Sequence, residues 1–90
     1  MGLTDFMRQL DESMQEMVPP ELKMKGWKYW DMYKHPTPEV FYQLLDCFGK
    51  EEHQILAMTQ TSGSIRAQFF VSPEALQRLD ANPELKEQVV

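Results

Sequence analysis

The alternation of apolar and polar positions divides the chain into helical and extended segments. Residues 3–18 carry apolar side chains at spacings of three and four, which predicts an amphipathic helix. The members of this stripe are Leu3, Phe6, Met7, Leu10, Met14, Met17 and Val18. Pro19-Pro20 should stop the helix, because proline disfavours helical backbone in the residue before it. Residues 21–26 then predict a polar connection that ends at a glycine.

The segment 27–34 is rich in aromatic residues and predicts a strand. Alternation would place Trp27, Tyr29, Asp31 and Tyr33 on one face, and Lys28, Trp30, Met32 and Lys34 on the other. Neither face is cleanly apolar. The pattern therefore favours an edge strand and leaves open which of its faces is buried.

The same capping chemistry predicts three further helix starts. Each combines a polar cap, a proline at the first helical position and a glutamate in the first turn: Thr37-Pro38-Glu39, Ser72-Pro73-Glu74 and Asn82-Pro83-Glu84. Between the first and second starts, residues 54–61 and 64–71 predict a β-hairpin around Ser62-Gly63.

These elements predict one α+β domain over residues 1–90, with the order α-β-α-β-β-α and a short helix at the end. Three short strands cannot close a barrel. We therefore expect a three-stranded antiparallel sheet with the helices packed on one face.

The composition narrows the class of protein. Hydrophobic residues make up 42% and charged residues 26% of the chain, which is ordinary for a globular domain. The formal net charge of −5 opposes non-specific binding to nucleic acid or anionic lipid. The single cysteine, Cys47, cannot form an internal disulfide and favours a reducing compartment, so we expect a cytoplasmic protein. No apolar run approaches the roughly 20 residues of a membrane span, and no signal peptide is expected.

Candidate chemistry is sparse. The histidines His35 and His53 and the lone Cys47 lack metal-ligand spacing, and the four glycines are too scattered for a phosphate-binding loop. Asp46 and the negative end of a helix disfavour a Cys47 thiolate. The sequence therefore predicts no metal, no cofactor and no enzymatic activity. An enzyme that uses Cys47 with a histidine is the third-ranked hypothesis.

The leading hypothesis comes from the bulky rings. A sheet with helices on one face leaves its other face open, and the rings of residues 27–33 and Phe70 cannot all be covered. Exposed aromatic side chains are typical of protein-binding surfaces. The predicted partner-binding residues are Trp27, Lys28, Trp30, Met32, Lys34 and Phe70. We expect a small acidic protein-binding module, such as an adaptor, inhibitor or regulatory subunit of bacterial or viral type, with a homodimer through the same face as its nearest variant.

Two alternatives involve nucleic acid. Residues 23–34 interleave lysines with aromatic rings, as single-strand binding platforms do, although the acidic remainder of the chain would repel a polyanion. Alternatively, an acidic chain could mimic nucleic acid and occupy a partner's basic groove. Both alternatives predict binding that weakens as salt concentration rises.

Overall fold

The fold was obtained as a computed structural model, which describes residues 2–90 apart from the side chains of Leu3, Thr4, Phe6 and Met7. The described residues form the elements α1 (Leu3–Glu16), α2 (Pro20–Met24), β1 (Lys28–Asp31), α3 (Pro38–Phe48), β2 (His53–Thr61), β3 (Ser64–Val71), α4 (Pro73–Asp80) and α5 (Pro83–Val89). The α+β class is confirmed, as is the three-stranded antiparallel sheet.

The predicted helix starts are confirmed by their capping contacts. A side-chain oxygen accepts the backbone N–H three residues later at α3, α4 and α5: Thr37 from Val40 at 3.4 Å, Ser72 from Ala75 at 3.0 Å and Asn82 from Leu85 at 3.3 Å. Each cap satisfies a donor that the first helical turn would otherwise leave without a partner. Gly49 ends α3 with φ of 92°, a conformation that other residues rarely adopt.

The region predicted as a polar connection contains α2 instead. The proline pair ends α1, but Pro20 also begins a new helix because its fixed φ suits the first helical position. The Pro19 carbonyl accepts hydrogen bonds from Leu22 N–H at 3.0 Å and Lys23 N–H at 2.9 Å. The short helix leads the chain directly into β1.

The strand order is β1-β3-β2, so β3 is central and the other two strands form the edges. The hairpin around Ser62-Gly63 is confirmed, with Gly63 at φ 79° in the turn. A β-bulge interrupts the β2–β3 register between Ile55 and Ala57. β1 covers Lys28–Asp31 and is shorter than the predicted strand.

The main core lies between one face of the sheet and helices α3, α4 and α5. Phe69, fully buried at the centre of β3, packs its ring 5.5 Å from Phe48, 5.7 Å from Trp30 and 6.3 Å from Phe41, measured between centroids. Other buried members of this core are Met32, Leu44, Ile65, Ala67, Val71, Ala75, Leu79, Leu85 and Val89. On this face the helices pack as predicted.

The opposite face also carries a helical layer next to β1, which the sequence did not predict. Tyr29 and Phe70 are cross-strand partners that point away from the main core, and they pack with Val18, which follows α1. Met14 of α1 and Leu22 of α2 border this second cluster. The two rings explain the arrangement, because leaving them in water would forgo the free energy of their burial. Of the predicted α1 stripe, Leu10 and Met17 are exposed, and the side chains of Leu3, Phe6 and Met7 lie outside the described residues.

Candidate functional site

Two of the six predicted partner-binding residues are buried, so the predicted open aromatic face is not present at these positions. Met32 is 0% and Phe70 is 5% exposed. Met32 follows β1 and points into the main core, while Phe70 packs against Val18 in the second cluster. The prediction that these two side chains are exposed is wrong, because both faces of the sheet near β1 are covered.

The other predicted residues are distributed over opposite sides of β1. Trp30 is half-buried and meets Phe48 edge-on, with a centroid distance of 5.4 Å. Trp27 is half-buried in the second cluster. Lys28 and Lys34 are exposed, and the Lys34 ammonium donates a hydrogen bond to the backbone carbonyl of Glu87. The structure does not bring the six residues into one surface, and a binding role for the exposed lysines stays a prediction.

The interleaved lysines and rings of residues 23–34 do not form a stacking platform. The lysines are exposed, but Tyr29 is buried and both tryptophans are half-buried against the cores. Tyr33 is exposed to 69% and is the exception. Because base stacking needs accessible ring faces, this segment gives no structural support to single-strand binding.

Burial and a backbone contact define the surroundings of the Cys47 thiol and the His53 ring. Burial raises the pKa of Cys47, although Arg78 nearby lowers it in part. A raised pKa keeps the sulfur as a thiol at neutral pH. Nδ1 of His53 lies 2.6 Å from the Gly49 carbonyl, which ties that ring to the end of α3. Across residues 2–90, no group of three or more His, Cys, Asp or Glu is placed to hold a metal ion.

A groove runs along the second face between α1 and the sheet, lined by Leu10, Met14, Tyr29, Asp31 and Arg66 among others. Two of its charged side chains form an ion pair, in which the Arg66 guanidinium lies 2.7 Å from the Asp31 carboxylate, and Asp11 also lines the groove. Arg66 also donates its Nε–H to the Met32 carbonyl at 2.9 Å. These contacts tie β3 to β1. Their role is structural.

The β2 edge is the least covered part of the sheet. Every residue from Gln54 to Thr61 is exposed, including the large apolar side chains Ile55 at 40%, Leu56 at 38% and Met58 at 49%. In the sequence, residues 53–61 contain no aspartate, glutamate, lysine or arginine. Charges and prolines are the usual means by which an edge strand avoids pairing with another chain. This strand has only its bulge for that purpose.

The backbone groups that β2 presents at this edge follow from contacts on the far side of β3. Successive residues of an antiparallel strand direct their N–H and C=O groups alternately to one neighbour and to the other. Ile65 and Ala67 form hydrogen bonds on the β1 side of β3, at 2.9 Å and 3.3 Å. Their partners in β2 are Gln60 and Met58. At such pairs the backbone groups point away from each other, so those of Met58 and Gln60 point out of the sheet.

The β1 edge is closed at the equivalent place. Tyr29 donates its backbone N–H to Gln15 Oε1 at 2.9 Å, and its carbonyl accepts a hydrogen bond from Gln15 Nε2 at 2.9 Å. The side-chain amide of Gln15 thus supplies the donor and the acceptor that a further strand would supply. Within the described residues, no corresponding contact reaches the outward groups of Met58 or Gln60.

A signal for the β2 edge was present in the sequence. The run His53–Thr61 contains no aspartate, glutamate, lysine or arginine, and apolar side chains occur on both of its faces, so the pattern does not define an inward face. Such a pattern is compatible with a strand that no helix covers. The signal does not say which side of β3 receives β1, and the strand order decides which edge is free.

Comparisons with protein-family models, with curated proteins and with solved structures find no match. Among the described residues, no helix has the length and apolar character needed to cross a bilayer.

Proposed function

We propose that the protein is a non-enzymatic protein-binding module whose contact site is the free edge of β2. The observation that carries this proposal is the outward-directed backbone of Met58 and Gln60 in an exposed, uncharged strand. An extended segment of a partner can add to such an edge through main-chain hydrogen bonds, while its alternate side chains provide specificity. Exposed Ile55 and Met58 supply apolar contacts beside these bonds. Such a module fits the role of an adaptor, an inhibitor or a regulatory subunit.

The bulge defines how much of β2 is available. It lies between Ile55 and Ala57, and a bulge locally disrupts regular pairing. The regular part of the edge is therefore Ala57–Thr61. A partner strand should pair with this part and contact the apolar residues of the bulge at its end.

The proposal can be tested by selecting displayed random peptides on the wild-type protein. The binding of the selected peptides is then measured on three variants. Gln60→Pro removes an outward N–H without breaking a bond to β3, and Met58→Lys places a charge at the edge. The control, Met24→Lys, makes the same change at a side chain that is 89% exposed in α2. We expect selected peptides to bind the control normally and to lose at least about tenfold in affinity with both edge variants.

Amide chemical shifts provide the second readout for the same peptides. Changes concentrated at residues 55–61 would support the proposal. Binding that perturbs another surface, or that survives both edge substitutions, would overturn it.

A further inference from the structure

We infer that the strand which pairs with the β2 edge is β2 of a second copy of this chain, arranged antiparallel about a two-fold axis at Thr59. The inference rests on the proposed function, because it names the partner of the same edge. In this dimer, two three-stranded sheets would join through their free edges into one continuous sheet. The backbone pattern, the position of the bulge and the charge distribution each favour this occupant.

The backbone pattern is self-complementary about Thr59. The groups of Met58 and Gln60 point outward, while those of Thr59 between them point toward β3. With the axis at Thr59, Met58 of each copy faces Gln60 of the other, and each such pair exchanges both of its backbone hydrogen bonds. All the outward groups of Met58 and Gln60 are then satisfied.

The neighbouring registers are less favourable. An axis at Met58 would pair Gln60 with residue 56, which lies within the bulge, and an axis at Gln60 would pair Met58 with residue 62, which lies in the turn. Only the axis at Thr59 keeps both hydrogen-bonded pairs inside the regular stretch Ala57–Thr61. The bulge and the hairpin turn therefore select one register.

The charge distribution also favours a second copy at this edge. Each copy carries a formal net charge of −5, so two copies repel each other at most surfaces. Residues 53–61 carry no acidic or basic side chain apart from His53. The nearest acids in sequence, Glu51 and Glu52, lie roughly 20 Å along the strand from the axis, on opposite sides of it in the two copies. No like charges meet across the paired strands.

The side chains at the axis are compatible with close approach. Thr59 of each copy meets Thr59 of the other at a non-hydrogen-bonded position, and threonine pairs at such positions stabilise antiparallel sheets. On the opposite face, the two Met58 side chains lie diagonally across the junction. They are 49% exposed in the single chain, and methionine adapts well to irregular contacts.

The test combines disulfide trapping with the measurement of mass in solution. In a Cys47→Ser background, Thr59→Cys should form an intermolecular disulfide under mild oxidation, because directly opposed residues lie about 4.5 Å apart between Cα atoms. Thr61→Cys is the matched control, since Thr61 is also an exposed threonine of the same strand. In this register the two Thr61 residues are separated by roughly 14 Å, beyond the reach of a disulfide.

Light scattering of the Cys47→Ser protein should give a mass approaching twice the 10.6 kDa of the chain as concentration rises. Gln60→Pro and Met58→Lys should remain monomeric, and Met24→Lys should behave as wild type. A monomer at all concentrations with no trapping at residue 59, or equal trapping at residues 59 and 61, would overturn the inference.

These results separate the inference from the proposed function. If the chain stays monomeric but selected peptides still depend on Gln60 and Met58, the edge binds another protein's strand and only the second-copy inference is overturned. If neither peptides nor a second copy depend on these residues, both are overturned.

Discussion

The two edges of the sheet differ although both edge strands pair with the same central strand. β1 is four residues long and its Tyr29 backbone is closed by the Gln15 side chain, while α1 and α2 cover the adjoining face. β2 is nine residues long and is exposed along almost its whole length. Short length and a covering element are common protections of sheet edges. This molecule protects one edge and leaves the other available.

The difference has an energetic basis. At the β1 edge, Tyr29 is 9% exposed, so an unpartnered backbone group there would be costly. At the β2 edge, water can reach the outward groups of Met58 and Gln60. The open edge therefore costs the single chain little, and a partner strand only has to replace water at these groups.

Among substitutions at the two edges, the largest effect on stability should come from opening the closed β1 edge. Gln15→Ala leaves the Tyr29 N–H and carbonyl without their partner, and we expect the free energy of unfolding to fall by about 1–3 kcal/mol. Urea denaturation measures the loss, and amide hydrogen exchange at Tyr29 should become faster. Gln9→Ala changes an exposed residue of the same helix, and it should alter neither the free energy of unfolding nor the exchange rate at Tyr29. An unchanged exchange rate at Tyr29 would show that the Gln15 amide does not close this edge.

The local features of the fold could be predicted from the sequence because nearby residues determine them. The caps Thr37, Ser72 and Asn82 act on N–H groups three positions away, and the turn at Gly63 joins strands that are adjacent in the chain. The sequence pattern does not predict α2, because a proline pair marks the end of one helix without showing that Pro20 begins another. A proline that ends one helix can also begin the next.

The arrangement of the layers could not be predicted in the same way. The Gln15–Tyr29 clamp joins residues fourteen positions apart, and no local pattern marks a glutamine side chain as a substitute for a strand. The burial of Phe70 depends on α1 reaching the second face. With that cover absent from the prediction, Phe70 is expected on an open surface. Met32 is expected there because alternation along 27–34 does not show which face of the strand the main core covers, and the structure places it in that core. The free edge depends on the strand order β1-β3-β2, which the hairpin alone leaves undecided.

A smaller, pH-dependent effect should arise at the N-terminal end of β2. Hydrogen bonds from Arg78 and from Ser72 Oγ lower the pKa of the Glu52 carboxyl. The folded-state pKa is therefore below the unfolded value of about 4.3. The ion pair stabilises the fold above that pH, and its contribution disappears as pH falls through the folded-state pKa.

Glu52→Gln should therefore lower the free energy of unfolding at pH 7 by less than Gln15→Ala does, because the side chains of Arg78 and Glu52 are 45% and 36% exposed. The difference from wild type should vanish in strongly acidic solution. Urea titrations from pH 7 to pH 2 measure it, with the neighbouring, exposed Glu51→Gln as the control. A difference that stayed constant with pH would contradict the assigned ion pair.

The smallest effect should occur at the open edge itself. In dilute solution, where single chains predominate, Met58→Ala should change the free energy of unfolding by no more than about 0.5 kcal/mol, because the side chain is largely exposed. The same truncation at Met32, which is 0% exposed, should cost about 2–5 kcal/mol. Thermal and urea denaturation at low concentration compare the two variants. A large loss for Met58→Ala under these conditions would mean that Met58 stabilises the monomer, and the β2 edge would then be a structural element of the single chain.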